Sequence, residues 1–528
     1  MHIFLLYILF SSSQARFFGT QTFSLSSERS LTLQTKAPST PNVRWLDQKL
    51  DHFDPKSNIT FRQRYVTNDD FYTGTHLMFV YISGEAKMKD NCLEDNFLYT
   101  LAKEKGAFLA SLEHRYYGES LPFTEHSVEN LKYLNTNQAL ADLAYFIEFL
   151  KKENKDKQLY KVIIVGGSYA GCLSAWFRAM YPHLALGSIS SSGPVLAEDE
   201  FIEYDQTISA ALPDDCAGHV RNAMKEMEAT IDNGKYVELQ KASGCDKVED
   251  NVDFLSGMGD MVAHAVQYNM DNEPDKAYKD LLCSTMSKPL VNGETESSHL
   301  LEFFNKMTEK MDTTCNEFVS LDPVIKNITA NKLENGRQWT WQTCNEFGYF
   351  QTAPPQNSLR STRVNLDYYH GICERAFGPG RIPDVSKINK YFKERNSLAT
   401  NVIWTNGGFD PWSKLGITPG SFKDDGREAR QNWKIRLIDK GSHCTDLHSP
   451  KSSDSESLKE ARNAIRDAVN EWLTNASRDK EMTTKHPLFV SGVVLASISL
   501  VFMIIAIVLC CVCSSKKRKA MKVYQSLQ

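Results

Sequence analysis

The stretch Gly166-Gly167-Ser168-Tyr169-Ala170-Gly171 has the residue types that most directly imply chemistry. It follows the apolar run Val162-Ile-Ile-Val165 and precedes a helical pattern from Cys172 to Met180. A tight strand-to-helix turn that projects a serine demands small residues two positions to either side. Gly166 and Ala170 meet that demand, although the strict pattern has glycine at the second place. A serine hydroxyl is a weak nucleophile until a histidine takes its proton, and the imidazolium formed needs a carboxylate to orient and stabilise it. On strand-turn-helix scaffolds the chain order is serine, acid, histidine. Asp410 follows the apolar run Val402-Ile-Trp404 and His443 follows Ile435-Arg-Leu-Ile438, so both occupy loops after strands, in that order. Asp439 and Asp446 compete for the acid and His448 for the base; position after a strand favours Asp410 and His443. A developing oxyanion needs fixed backbone donors, for which the candidates are Tyr169, after the serine, and Gly84-Glu85, after the run ending at Ile82. The plain alternative is a tight turn with an incidental serine.

These residues need a sheet to hold them. His76–Ile82, Ala107–Leu112 and Val162–Val165 are near-continuous apolar runs, the pattern of strands buried on both faces. From Leu140 to Leu150 apolar residues recur at 140, 143, 146, 147 and 150, which is helical spacing. Alternating strands and helices imply a parallel sheet with right-handed crossovers. From about 196 to 355 charged amphipathic stretches, cysteines and few β-branched runs indicate a mostly helical insertion. The strand pattern resumes at 402–404 and 435–438, and a last helix is expected over Leu458–Leu473. The fold class is α/β, a core in two parts, 45–195 and 356–475, interrupted by a helical cap at 196–355.

Seven ordered motifs carry a resemblance: Leu50-Asp51-His52-Phe53, Glu113-His114-Arg115-Tyr116-Tyr117-Gly118, Gln138 to Leu143, Gly166 to Tyr169, Trp341 to Gly348, Asn406 to Trp412 and Gly441-Ser442-His443-Cys444. Together they resemble the serine peptidase family of lysosomal Pro-Xaa carboxypeptidase, dipeptidyl peptidase II and thymus-specific serine protease. The resemblance implies an α/β-hydrolase core, a helical cap bearing disulfides and a triad falling on Ser168, Asp410 and His443. It implies a serine exopeptidase acting on peptides next to proline, commonly in acidic compartments, with no cofactor. Where relatives have Gly-x-Glu-Gly this chain has Ser83-Gly84-Glu85-Ala86-Lys87, a departure at the oxyanion side. Trp412, Trp341 and Phe347 are candidates for an aromatic wall facing a proline ring, with core packing the alternative. Arg115 and Asp142 read as a structural pair.

The two ends read as addresses. Residues 1–15 have an apolar stretch followed by small residues, as in a secretory signal peptide. Leu488–Cys513 holds 26 residues without a charge, where about 20 suffice to cross a bilayer as a helix. Lys516-Lys517-Arg518-Lys519 after it predicts a cytosolic tail at 514–528, a stalk at 476–487, and a single-pass type I protein whose catalytic part is luminal or extracellular, in endosomes or lysosomes or at the cell surface. Tyr524-Gln525-Ser526-Leu527 fits a sorting-adaptor signal, and Cys510, Cys511 and Cys513 are acylation candidates. The tail holds five of the 60 basic residues and none of the 65 acids, so the net −5 of the chain becomes −10 before the membrane segment.

Asn58, Asn327 and Asn475 head glycosylation sequons, in keeping with that topology. Nine cysteines precede the apolar segment, an odd number that leaves at least one unpaired. Cys216, Cys245, Cys283, Cys315, Cys344 and Cys373 crowd the insertion as disulfide candidates of open connectivity. No matched CxxC pairs support a structural metal. With 41% apolar residues the chain is folded, and without a basic block in the globular part it offers no footprint for nucleic acid. Peptides are the expected partners, and a homodimer is left open. Two other classes remain: a catalytically silent adhesion or receptor ectodomain on a hydrolase fold, and a lipase or esterase.

Overall fold

The computed structural model describes residues 42–485, apart from 272, 292, 320, 332–334, 394–398 and 422–425. The described residues include ten strands: β1 (Asn42–Lys49), β2 (Thr60–Asn68), β3 (Leu77–Ile82), β4 (Phe108–Leu112), β5 (Lys161–Gly167), β6 (Gly187–Ser191), β7 (Glu198–Glu200), β8 (Gly348–Phe350), β9 (Val402–Gly407) and β10 (Lys434–Ile438). Eight of them form one sheet in the order β1-β2-β4-β3-β5-β6-β9-β10. Every pairing from β4 to β10 is parallel, whereas β1 with β2 and β2 with β4 are antiparallel. The sheet is therefore mixed, where the sequence pattern predicts a parallel one. The connection from β1 to β2 is too short for a crossover helix, and a short connection allows only antiparallel pairing.

The central strands are apolar because helices cover both faces. All five residues of β4 are buried, as are five of the six in β3. The helices Thr136–Glu153 and Tyr169–Met180 place Leu140, Phe146, Leu173 and Trp176 in the same apolar cluster as Val80, Ile164 and Trp404. Arg115 and Asp142 do pair: the guanidinium meets the carboxylate at 2.6 and 2.7 Å, and His52 Nε2 lies 2.8 Å from Asp142.

The insertion is helical through Ile202–Ala211, Asp214–Asp232, Tyr236–Ser243, Asn251–Gln267, Tyr278–Met286 and Glu296–Lys310. Its neck is closed by β7 and β8, which pair in parallel with Glu198 opposite Gly348 and Glu200 opposite Phe350. Disulfides Cys216–Cys283, Cys245–Cys315 and Cys344–Cys373 use all six candidate cysteines. Cys92, Cys172 and Cys444 remain as buried thiols. Val220, Met224, Phe254 and Phe304 of the insertion belong to the same apolar cluster as the sheet, so cap and core share one interior.

Residues through Ala468 form one compact unit; a second begins at Val469, and its described part is the end of the helix Glu456–Lys485. The spacing of apolar residues predicts an end near Leu473, and the helix continues through residues assigned to a stalk. The membrane topology is corrected as well. Among the described residues no helix is long and apolar enough to cross a membrane, so the described architecture is an α/β-hydrolase-like mixed sheet with a helical insertion and no membrane-spanning element. The single-pass type I assignment, with its membrane contact, is withdrawn. The segment 488–513 on which it rested, the tail with Tyr524–Leu527 and the signal segment 1–15 lie outside the described residues. Asn58, Asn327 and Asn475 are exposed.

Candidate active site

Ser168 occupies the turn between β5 and the helix Tyr169–Met180 with φ 58° and ψ −132°, a left-handed position that a non-glycine residue adopts only under constraint. The constraint is close packing. A Cβ on Gly166 would lie 2.0 Å from the Ala170 carbonyl oxygen, and one on Gly171 would lie 2.6 Å from that of Ser191. The Ser168 N–H donates to Ser191 O at 2.9 Å, which ties the turn to the end of β6. Ser168 is 9% exposed, at the wall of a cavity.

Asp410 follows β9 and His443 follows β10, and the two meet: His443 Nδ1 lies 2.9 Å from Asp410 Oδ2. The other oxygen of Asp410 accepts the Trp412 N–H at 3.0 Å, which fixes the carboxylate in a fully buried position. Burial acts to lower the pKa of His443, and the Asp410 charge, with a contribution from Cys444, more than offsets it, holding the imidazole above its ordinary 6.5. Cys444 also brings the two loops together. Its N–H donates to Ser192 Oγ at 2.9 Å, and its sulfur lies 3.0 Å from where a Gly167 Cβ would be, so the residue after the histidine packs on the residue before the serine.

The competing residues have other partners. Asp446 accepts from Ser191 Oγ at 2.5 Å and from Thr405 Oγ1 at 2.8 Å, while Asp439 is exposed. His448 has its pKa pushed down to about 3, chiefly by burial.

Tyr169 is the first residue of its helix, and its ring is anchored below the turn. Its hydroxyl accepts from Gln342 Nε2 at 2.9 Å and lies 3.1 Å from His114 Nε2, while Tyr117 donates to Gln342 Oε1 at 2.5 Å. Gly84 and Glu85 line the same cavity as Ser168. Burial pushes the Glu85 carboxyl up to about 7, against the pull of its own backbone N–H and of His443.

None of the three aromatic candidates is in that cavity's lining, and Trp412 and Phe347 pack on one ring, that of Tyr349. Trp412 is buried next to Asp410, edge-on to Tyr204 and Tyr349, and donates to Gln267 Oε1 at 3.2 Å. Phe347 stacks on Tyr349, with ring centres 5.3 Å apart. Trp341 belongs to a second apolar cluster, edge-on to Phe377, with its N–H on Leu134 O.

Sequence reasoning misses the contribution of the insertion. Gln267 O accepts the His443 N–H at 2.9 Å, the Tyr268 ring stands edge-on to the imidazole at 6.1 Å, and Asn269 O accepts from Ser442 Oγ. These three residues end a helix and follow it in a charged, irregular stretch, where no periodicity marks them. Among the described residues no group of His, Cys, Asp and Glu forms a metal-holding cluster.

The family model described as "Serine carboxypeptidase S28" matches residues 48–465. Among curated relatives, a "Probable serine protease EDA2" of Arabidopsis thaliana is 35% identical over 71% of this chain and 76% of its own length. The "Thymus-specific serine protease" of Mus musculus is 29% identical over 83% of this chain and 89% of its own. The "Lysosomal Pro-X carboxypeptidase" of Bos taurus is 26% identical over 86% and 93%.

Proposed function

This chain belongs to the serine carboxypeptidase S28 family of serine peptidases, and from that premise we propose that it is an exopeptidase cleaving peptides beside proline through Ser168, Asp410 and His443. The observation that carries the reading is the 2.9 Å contact between His443 Nδ1 and Asp410 Oδ2, in a loop that packs through Cys444 on the residue preceding Ser168. A histidine whose Nδ1–H is held by a buried carboxylate keeps Nε2 free to accept a proton, and that is the tautomer a serine nucleophile requires.

In this mechanism Ser168 Oγ adds to the scissile carbonyl as His443 Nε2 takes its proton. The resulting oxyanion is met by the Tyr169 N–H and by the loop at Gly84 and Glu85. His443 then protonates the departing amine, leaving an acyl group on Ser168. A water, deprotonated by His443, adds to that ester and regenerates the hydroxyl. Asp410 keeps the imidazole oriented and stabilises its cationic form. The relative named Pro-X carboxypeptidase supports the choice of substrates containing proline.

Ser168→Ala provides the test. The purified variant is expected to fold with the wild-type melting temperature, to lose at least about three orders of magnitude in kcat/KM on proline-containing peptides, and to lose labelling by a fluorophosphonate probe. Full activity in that variant would end the assignment, and a wild-type protein inert to the probe would point to the silent ectodomain.

A further inference from the structure

Tyr169 supplies the backbone N–H that meets the oxyanion in the proposed mechanism, and the backbone hydrogen bonds beside it do not involve it. The turn is tied on one side by the Ser168 N–H, which donates to Ser191 O at 2.9 Å, and on the other by Ser168 O, which accepts the Cys172 N–H at 3.1 Å. The first N–H groups of a helix have no acceptor within it, and Tyr169 is the first residue of its helix. Ser168 meanwhile holds φ 58° and ψ −132°, a conformation that relaxes unless its surroundings over-determine it. Rotation of the peptide after Ser168 would relieve it, and would swing the Tyr169 N–H away from the reacting carbonyl.

The Tyr169 side chain supplies the missing hold. His114, after β4, has Nδ1 2.7 Å from Arg115 O, and a carbonyl only accepts, so the ring proton is on Nδ1 and Nε2 is an acceptor. Burial pushes the His114 pKa down to about 4, which keeps the ring neutral above that pH. The Tyr169 hydroxyl therefore donates to His114 Nε2 at 3.1 Å and accepts from Gln342 Nε2 at 2.9 Å. Gln342 Oε1 in turn accepts from the Tyr117 hydroxyl at 2.5 Å. The result is a one-way chain from Tyr117 through Gln342 and Tyr169 to His114, its direction set by the Arg115 carbonyl. All four side chains are buried, so a broken link leaves a polar group with no water to replace its partner. Two rings of the insertion close on the tyrosine ring, Trp339 edge-on at 5.6 Å and Phe347 at 5.5 Å. Gln342 ends the helix Gly336–Gln342 of the insertion, so Tyr169 is gripped by the core and the insertion together.

Resting on the serine-peptidase mechanism proposed for Ser168, we infer that Tyr117, Gln342 and His114 are positioning residues for the oxyanion donor: their hydrogen-bonded chain fixes the Tyr169 side chain and, through it, the peptide that aims the Tyr169 N–H at the reacting carbonyl oxygen.

Diisopropyl fluorophosphate tests this, because it phosphorylates the serine with release of fluoride and charge grows on the phosphoryl oxygen in the transition state. Its rate constant per active site reads the oxyanion donor, while the labelled fraction counts folded sites. The full chain is compared as wild type, Tyr117→Phe, Gln342→Met and Tyr169→Phe. The rate constant is expected to fall severalfold in Tyr117→Phe, about tenfold in Gln342→Met and roughly 10- to 100-fold in Tyr169→Phe, less than when an oxyanion donor is removed outright. On a proline-containing peptide kcat should fall by the same factors, with KM within about twofold and the acid limb of the pH profile unmoved, since His443 keeps its partners. A wild-type rate constant in folded Tyr169→Phe, a loss confined to the labelled fraction or to KM, or a shifted acid limb would overturn the inference. Tyr117→Phe removes a single hydroxyl at the far end of the chain and decides the matter where the other two variants fail to fold: an unchanged rate constant there refutes the positioning role. A wild-type protein inert to both the reagent and the peptide removes the peptidase reading itself, whereas a reactive wild type with unaffected variants refutes the positioning role alone.

Discussion

Replacing Asp410 by asparagine keeps the side chain's size and removes one charge 2.9 Å from His443 Nδ1. At an effective dielectric constant of about 20, opposite unit charges at that distance attract by roughly 6 kcal/mol, equivalent to about four decades of proton affinity before desolvation is set against it. Without the charge, desolvation dominates, and the pKa of His443 moves from above 6.5 to below it. The sign follows from the role: a general base works only when neutral, so the acid limb of kcat/KM lies at the histidine pKa and shifts to lower pH in the variant. The plateau falls for a separate reason. The Trp412 N–H, which lies 3.0 Å from Asp410 Oδ1 in the wild type, still requires an acceptor, so the carbonyl oxygen of the introduced amide stays with it and the NH2 turns toward His443 Nδ1. That nitrogen must then accept, and the ring proton moves to Nε2, where it blocks transfer from Ser168. A loss of about 10^3 to 10^4 in kcat is expected, with unchanged folding. Steady-state rates on an amidated proline peptide from pH 4.5 to pH 9 measure both effects. A loss below tenfold, or an acid limb that stays in place, would refute the coupling of the two side chains.

Three further outcomes follow from the geometry. Gly166→Ala places a methyl group 2.0 Å from a backbone oxygen that cannot move without opening the turn, so a stability loss of about 3 kcal/mol or more and loss of probe labelling are expected; a melting temperature within a degree of wild type contradicts the packing. Joint replacement of Cys344 and Cys373 by serine opens a loop of sequence separation 29, worth about 4 kcal/mol by chain entropy, and a change under about 1 kcal/mol in urea unfolding would count against it. Glu85 holds its proton more tightly folded, at about 7, than at its ordinary 4.5, so its own contribution to stability is full below 4.5 and declines by about 3 kcal/mol as pH rises to 7. Glu85→Gln should remove that part of the decline, and an identical pH dependence in both proteins would refute it.

The parts legible in the sequence share one cause, an uninterrupted signal of one kind. β3, β4, β5 and β9 are apolar runs flanked by glycine or polar residues, and each lies within a residue or a few of where periodicity puts it. The serine turn is legible because sterics allow so few residue types around it. β6 is not, since Gly187-Ser-Ile-Ser-Ser191 has no apolar run to read; its buried hydroxyls are satisfied by Ser174, Gly171 O and Asp446, contacts that exist only in the folded chain. β1 and β2 alternate too weakly to stand out, and β7 and β8 are three residues each, held by their pairing across the whole insertion. Asp410 and His443 are legible as loop residues after strands. Their 2.9 Å contact and the role of Cys444 depend on how β9 and β10 lie side by side, which spacing does not encode.

The insertion and the loops bearing Asp410 and His443 are one mechanical object. Residues 267–269 end the helix Asn251–Gln267 and follow it, and they hold the His443 loop: a carbonyl on the His443 N–H, an aromatic edge on the imidazole, a carbonyl on the Ser442 hydroxyl. The Gln267 side chain reaches the acid's loop as well, accepting from Trp412 Nε1 and from the Tyr204 hydroxyl. One turn of the insertion therefore touches both the His443 loop and the Asp410 loop. A rigid swing of that helix would break hydrogen bonds to the histidine's own backbone and leave the imidazole without its fixed orientation, at a cost in rate far larger than any gain in access. The orientation of His443 therefore depends on the insertion keeping its place.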